Sequence, residues 1–423
     1  MGPSFALVLG LSRRSSKSEG GCSFAKTRVD GNQGMVFVVF RLLSSSKNSS
    51  DVTILAKSFS LDGLLRKNYM QQLNPCELEI DLFCRGLRID PDSAGSVKLA
   101  RRTRAGLGSG LELVLSGSFK DLWANVPVLE PFAKESPYTL YADNGDFLIK
   151  NTELSHIYPV RIEPEPEWYS QPTSSGRLMS KVGAMQGTYL GIYIGPVCRY
   201  WKSDERENCR FCTTGLNEEQ DESWKKTVTE VVETCIAARK ESGITFVHFN
   251  SGYQEGRDLR LARPFLEAVK QKTGLLVGLQ LAPVDDLTQY DELIDAGADH
   301  FSFCFEFMSD FAFSKYCPGK ARTLGQSAFF RAMEYTSGKL GKGRVSGEII
   351  AGVEPIEETM KAIDRITDCG AFPTICVFRP LEGSDMAVYP SPFYEEMREV
   401  FKYMIDRLIA KRIPIGIAPN IEV

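Results

Sequence analysis

The sequence predicts an α/β protein: a partial or complete (β/α) barrel of TIM type preceded by a smaller mixed α+β domain. Three observations carry that expectation. From about residue 185, apolar runs rich in β-branched residues alternate with segments of helical spacing. The alternation repeats about six times, the pattern of a parallel sheet with crossover helices. At 423 residues the chain has room for such a barrel, which takes roughly 250 residues, and for an appendage. A doubly wound open sheet stays as the alternative, because periodicity does not give strand order.

The first fifty residues differ from the rest, with eleven serines and seven Arg or Lys against only Glu19 and Asp30. Residues 1–60 therefore read as a disordered leader, either an untargeted tail or an organelle transit peptide in which Arg13, Arg14 and the Ser15–Ser18 cluster would be removed. Residues 70–165 read as the small mixed domain. Its apolar pieces are Leu78–Leu87, Leu111–Leu115, Leu122–Val128, Tyr138–Tyr141 and Phe147–Ile149, parted by Gly and Asp turns. Arg101–Gly110, with three glycines, reads as a connector rather than a substrate loop. Glu163–Pro172, rich in proline and acid, marks a linker over residues 166–184.

The barrel occupies residues 185–423. Its expected strands are Thr188–Val197, Ile244–Phe249, Leu275–Leu281, His300–Phe307, Arg344–Ala351, Pro373–Phe378 and Pro414–Ala418. Helices are expected at Thr227–Glu241, behind a Thr227/Glu230 capping box, and at Ala262–Lys272, Asp286–Ala296, Ser327–Ser337, Ile356–Cys369 and Pro392–Ala410. In such barrels chemistry gathers at the carboxyl ends of the strands.

Bulk composition narrows the function. Fifty basic against fifty-four acidic residues give a net charge of −4, so no polycationic surface points to nucleic acid or an acidic membrane. The sequence has no apolar run of about 18 residues, the length a membrane helix needs. Eleven irregularly spaced cysteines suit reduced thiols and cluster ligands better than a disulfide framework, which implies a soluble protein in a reducing compartment. That compartment is the cytoplasm, or a plastid or mitochondrion if the leader is a transit peptide. Three histidines do not make a multi-histidine metal site.

Cys198, Cys209 and Cys212 stand in a Cys-x10-Cys-x2-Cys pattern just after the first expected barrel strand. Thiolates are soft anionic donors that hold iron well, and three of them on a four-iron cluster leave one iron open. Two other readings of the spacing stay open: a structural zinc site completed by Cys235 or His248, or a chance grouping. Position at a strand's carboxyl end favours the cluster.

The stretch Gly191-Ile-Tyr-Ile-Gly-Pro-Val-Cys198 through Cys209-Arg-Phe-Cys212 resembles the cluster loop of radical S-adenosylmethionine (SAM) enzymes, with Phe211 as the aromatic residue before the last cysteine. It departs from the family in its first spacing, ten residues in place of three. Phe249-Asn-Ser-Gly252 resembles the family's glycine-rich segment for the methionine amino group, with Asn250 and Ser251 in place of two glycines. Cys304-Phe-Glu306 resembles the polar-then-acid motif of biotin and lipoyl synthases. Ser346–Glu354 resembles their fifth-strand segment, which closes on adenosine, and Val377–Gly383, which includes Phe378, their sixth-strand end beside the adenine. Ahead of the barrel, Arg101–Gly106 and Ser136-Pro-Tyr138 resemble an uncharacterised radical SAM group encoded beside nitrilases.

The resemblance covers about residues 185–420, in order. It implies a barrel of radical SAM type in which Cys198, Cys209 and Cys212 bind a [4Fe-4S] cluster and serve as the catalytic residues. It further implies that Phe211, Asn250, Ser251, Gly252, Glu306, Glu354 and Phe378 contact S-adenosylmethionine. The implied activity is reductive cleavage of S-adenosylmethionine to a 5′-deoxyadenosyl radical that takes a hydrogen from a small-molecule substrate. An electron donor such as ferredoxin or flavodoxin follows from the same resemblance. Against this stand plainer readings of single residues: Glu354 as the start of a helix, His248 and His300 as core histidines, and Cys304, Cys317, Cys369 and Cys376 as small buried apolar residues rather than ligands of a second cluster. The alternative function is a non-catalytic α/β protein with a structural zinc site at the three-cysteine loop.

Overall fold

The computed structural model describes residues 22–30, 35–42, 54–60, 72–94, 102–104, 108–116, 121–201, 203, 205–216 and 222–414. The chain divides into a unit over Met1–Gln72 and a unit over Leu73–Val423. In the first, strands Cys22–Asp30, Met35–Leu42 and Ile54–Ser60 pair antiparallel in that order. The Arg13–Ser18 segment and the expected strand after Pro414 lie outside the described residues.

The second unit holds two sheets. The smaller is mainly antiparallel, in the order Arg88–Ile89, Tyr138–Asp143, Asp146–Asn151, Ile157–Arg161, Gly108–Leu115, Arg102–Arg104, with Leu122–Val126 also pairing on Gly108–Leu115. Arg102–Arg104 pairs back on Gly108–Gly110, so the expected connector is a hairpin instead. Gly110 sits where two strands approach closely: a Cβ there would meet the Asn125 side chain at 2.2 Å. Helix Pro75–Arg85 starts with an Asn74/Glu77 capping box and packs between Leu122–Val126 and the last helix. Its buried Asp81 accepts a 2.6 Å hydrogen bond from Tyr138.

Residues 166–184 carry two short 3-10 turns, Glu167–Ser170 and Met179–Lys181, and bury Trp168 and Tyr169. Glu241, on the first barrel helix, accepts hydrogen bonds from the main-chain N–H of Glu167 and of Trp168.

The larger sheet begins with Ala184–Gln186, antiparallel to Tyr189–Tyr193. Six parallel strands then follow in sequence order: Tyr189–Tyr193, Phe246–Asn250, Leu276–Gln280, His300–Glu306, Val345–Ala351 and Phe372–Val377. Unshuffled order excludes the doubly wound alternative, which reverses strand order at a switch point. Side chains from all six strands line one cavity, so the sheet is curled into a half-barrel. Crossover helices cover its outside at Val228–Ser242, Asp258–Thr273, Gln289–Asp295, Gln326–Leu340 and Ile356–Asp368, and helix Tyr394–Lys411 follows the sixth strand.

Strand periodicity explains the division of faces. In His300–Glu306 the phenylalanines at 301, 303 and 305 face outward and are fully buried under helices, with Phe305 against Phe330 at 5.0 Å and Phe301 against Tyr290 at 5.3 Å. Alternate residues face the cavity. The Thr227/Glu230 capping box expected from sequence is formed in full. Two helices were not expected after the fourth strand, Asp310–Tyr316 and Pro318–Thr323, and Lys320 of the second lines the cavity. No helix among the described residues is long and apolar enough to cross a membrane.

Candidate active site

The first parallel strand ends at Tyr193, and the chain turns into the three-cysteine loop. Its first leg is pinned to the turn after the second strand. Ile194 donates its N–H to the Asn250 carbonyl at 2.9 Å, Arg199 to Tyr253 at 3.0 Å, and the Gln254 amide to Pro196 at 2.7 Å. Gly252 donates its N–H to the Tyr193 hydroxyl at 2.9 Å. A Cβ at Gly252 would lie 2.3 Å from the Cys198 Cβ and 2.8 Å from its Cα, so only glycine lets the two segments close.

Described residues of the ten-residue excursion between Cys198 and Cys209 are braced by neighbouring elements. Tyr200 stacks on Tyr253 with ring centroids 4.6 Å apart. Arg322 clamps Glu207 through two hydrogen bonds, and Gly319 donates its N–H to the Glu207 carbonyl at 3.1 Å. Arg210 donates to the Tyr316 carbonyl at 2.8 Å. The long spacing therefore spans the two unexpected helices and returns Cys209 and Cys212 to the cavity that Cys198 borders.

Cys198, Cys209, Phe211, Cys212, Asn250, Ser251, Gly252 and Glu306 line this cavity of about 260 Å³. Two of the expected site residues do not. Glu354 is turned away, accepting the main-chain N–H of Met308 at 2.8 Å and of Ser309 at 3.0 Å, which fixes the loop after the fourth strand. Phe378 is buried against Tyr389.

Burial raises the thiol of Cys198 to about 12 and pushes that of Cys212 upward, while a hydrogen bond from Cys317 lowers that of Cys209. The Thr214 N–H points at the Cys212 sulfur from 3.4 Å. Thiols held away from water in this way ionise readily only against a cationic centre. Among the described residues no three His, Cys, Asp or Glu side chains gather around a single ion position. A cluster makes a different demand, since each thiolate goes to its own iron. The three sulfurs around one cavity, on a loop hydrogen-bonded at both legs, fit that demand.

Several lining residues were missed from sequence. Lys320, on the second unexpected helix, pairs with Glu306 at 2.6 Å and donates to the Cys304 carbonyl at 2.6 Å. Burial alone would lower its ammonium, but Glu306 and the surrounding thiols hold it well above the usual lysine range. Glu306 sits at φ 75° beside a register shift, a backbone shape that non-glycine residues seldom take and that turns its carboxylate to Lys320. Gln280, Ser302, Cys304, Ser346, Glu348, His248 and His300 also face inward. The alternation His300-Phe-Ser-Phe-Cys-Phe-Glu306 was the available signal: period two with polar residues on one face marks a strand with a polar interior.

Two outcomes follow from this geometry. Gly252→Ala is expected to displace Cys198 and lower iron loading about 10–100-fold, the scale for disturbed ligand support, read as lost charge-transfer absorbance after anaerobic reconstitution. Unchanged loading would show that the close approach is not needed. The second outcome concerns His248, whose imidazole burial pulls down to about 4. The unfolded imidazole titrates near 6.5, so below that pH protons favour the unfolded chain. Stability present above about pH 6.5 is lost as pH falls to about 4, at up to about 1.4 kcal/mol per pH unit. Urea unfolding should be less pH-dependent in His248→Gln across that window, and superimposable profiles would refute it.

No family model matches the chain. A bacteriochlorophyllide c C-7(1)-hydroxylase of Chlorobaculum limnaeum is 23% identical over 317 residues, 69% of this chain and 78% of that protein. Among solved structures, a radical SAM methyltransferase from Sphaerobacter thermophilus is 13% identical with a TM-score of 0.42, over 64% of this chain and 75% of the other. Methylornithine synthase is 18% identical with a TM-score of 0.41, over 52% of this chain and 62% of its own length, under two thirds of that protein. The three-cysteine cavity is where this chain's residues suit an iron-sulfur cluster.

Proposed function

We propose that Cys198, Cys209 and Cys212 hold a [4Fe-4S] cluster with one open iron, and that the enzyme acts on a small-molecule substrate inside the half-barrel. One observation carries the reading: three thiols of one loop border the same cavity at the carboxyl end of a curled parallel sheet. Bound there, the cluster would supply an electron for cleavage of S-adenosylmethionine to a 5′-deoxyadenosyl radical, which takes a hydrogen atom from the substrate.

The chain's own part is to orient and enclose. Asn250, Ser251 and Gly252 offer polar groups and main chain beside Cys198, suited to the methionyl end of S-adenosylmethionine. Phe211, packed edge-on to Phe307 at 5.8 Å, closes the wall near Cys212. Glu306, held by Lys320, borders the space between. Enclosure keeps a reactive radical from water and stray C–H bonds. An external one-electron donor such as ferredoxin or flavodoxin and a reducing compartment belong to the same proposal.

Anaerobic reconstitution of the full chain with iron and sulfide, then reduction with S-adenosylmethionine present, is expected to release 5′-deoxyadenosine. A chain that loads iron and sulfide yet releases none under strong reductant refutes the reading. The zinc alternative predicts about one equivalent of zinc and no charge-transfer band in anaerobically purified protein.

A further inference from the structure

Strands lining a (β/α) barrel ordinarily fill it with bulky branched apolar side chains. This half-barrel is lined otherwise. His300, Ser302, Cys304 and Glu306 alternate along the fourth parallel strand, and Ser346 and Glu348 along the fifth, all bordering the cavity. Gln280 on the third strand and His248 on the second complete a polar well beneath the cysteines.

Glu348 lies at the centre of this well. It accepts hydrogen bonds from the Ser302 hydroxyl at 2.8 Å, the Cys304 thiol at 3.0 Å and the Gln280 amide. All three donors are neutral. Glu306, the other acid of the wall, has Lys320 at 2.6 Å, whereas Glu348 makes no ion pair among the described residues. Burial raises the Glu348 carboxyl accordingly. A half-buried carboxyl on a cavity wall, met only by neutral donors, has room for a cation from outside the chain.

His248 supplies a second, independent observation. Its ring borders the same cavity, is 7% exposed, and its Nε2 has no hydrogen-bond partner among the described residues. Buried polar atoms are nearly always paired, and a neutral imidazole nitrogen can donate or accept.

We propose that this well binds the substrate and that the substrate is a small molecule presenting a protonated amine to Glu348, with a second polar group at His248. The inference rests on the proposed function, since it names the substrate class of that reaction. An ammonium brings the missing charge and up to three N–H donors. An anion is poorly served, because Lys320 is the sole lysine or arginine lining the cavity among the described residues and Glu306 already holds it. An alcohol would leave Glu348 without a counter-charge.

The test uses the anaerobically reconstituted full chain and two probes of equal shape, isobutylammonium and isobutanol, with affinities measured by ligand-observed NMR. The ammonium should bind about tenfold or more tightly than the alcohol, and Glu348→Gln should remove most of that preference. Equal affinities in the wild-type protein, or a preference that survives Glu348→Gln, overturn the proposal. Should the variant fail to fold by circular dichroism, the wild-type comparison decides alone. Release of 5′-deoxyadenosine by the wild-type preparation is scored separately. Release without ammonium preference sinks the substrate class alone, while preference without release sinks the radical reaction and leaves an amine site standing.

Discussion

Cys209→Ala is expected to abolish both the charge-transfer absorbance of the reconstituted chain and its release of 5′-deoxyadenosine. Three thiolates hold the proposed cluster, and losing one leaves two irons without a protein ligand. The neighbouring Cys317 complicates the experiment usefully: it is fully buried and its thiol hydrogen-bonds Cys209. Cys209→Ala/Cys317→Ala removes any chance that this neighbour takes the vacant role. Absorbance that persists in both variants would show that Cys209 is no ligand. Circular dichroism of the variants separates loss of the cluster from loss of the fold.

Lys320→Met is expected to destabilise the protein by about 3–5 kcal/mol, the cost of leaving a buried charge without its partner. Glu306 is only 7% exposed and sits at φ 75°, so its carboxylate has little room to reach water once the ammonium is gone. The side chain of Lys320 also ties the Pro318–Thr323 helix to the Cys304 carbonyl, so iron loading should fall with stability. Adding Glu306→Gln should recover most of the loss, because the stranded charge is then removed. Urea unfolding of the single and double variants measures both effects. A single variant within about 0.5 kcal/mol of wild type, the range of ordinary surface substitutions, would mean that the pair is not a buried ion pair in solution.

The barrel strands were legible because a strand buried on its outer face writes a local pattern. Val345–Ala351 and Phe372–Val377 lie within one residue of the positions expected from sequence. Helix Val228–Ser242 announced its own start through Thr227 and Glu230, a signal contained within four residues. The His300–Glu306 strand was legible as a strand, but its polar face was masked by three phenylalanines that raise its average hydrophobicity.

Short helices were harder to read. Asp310–Tyr316 and Pro318–Thr323 are one or two turns each, too brief for helical periodicity, and packing on the cysteine loop stabilises them more than propensity does. Glu354 shows the opposite error. A carboxylate at a strand end resembled a cofactor contact, yet its two oxygens are taken by the main-chain N–H groups of Met308 and Ser309.

The sequence by itself determined the order of strands and helices, the cap of the first crossover helix and the three-cysteine loop at a strand's end, because each is written in residues close together along the chain. Only the tertiary structure decided that the sheet curls around a polar well, that Lys320 meets Glu306, and that three neutral donors meet at Glu348. Those facts depend on side chains from different strands and helices facing one another across a cavity, and no local pattern encodes which of them will meet.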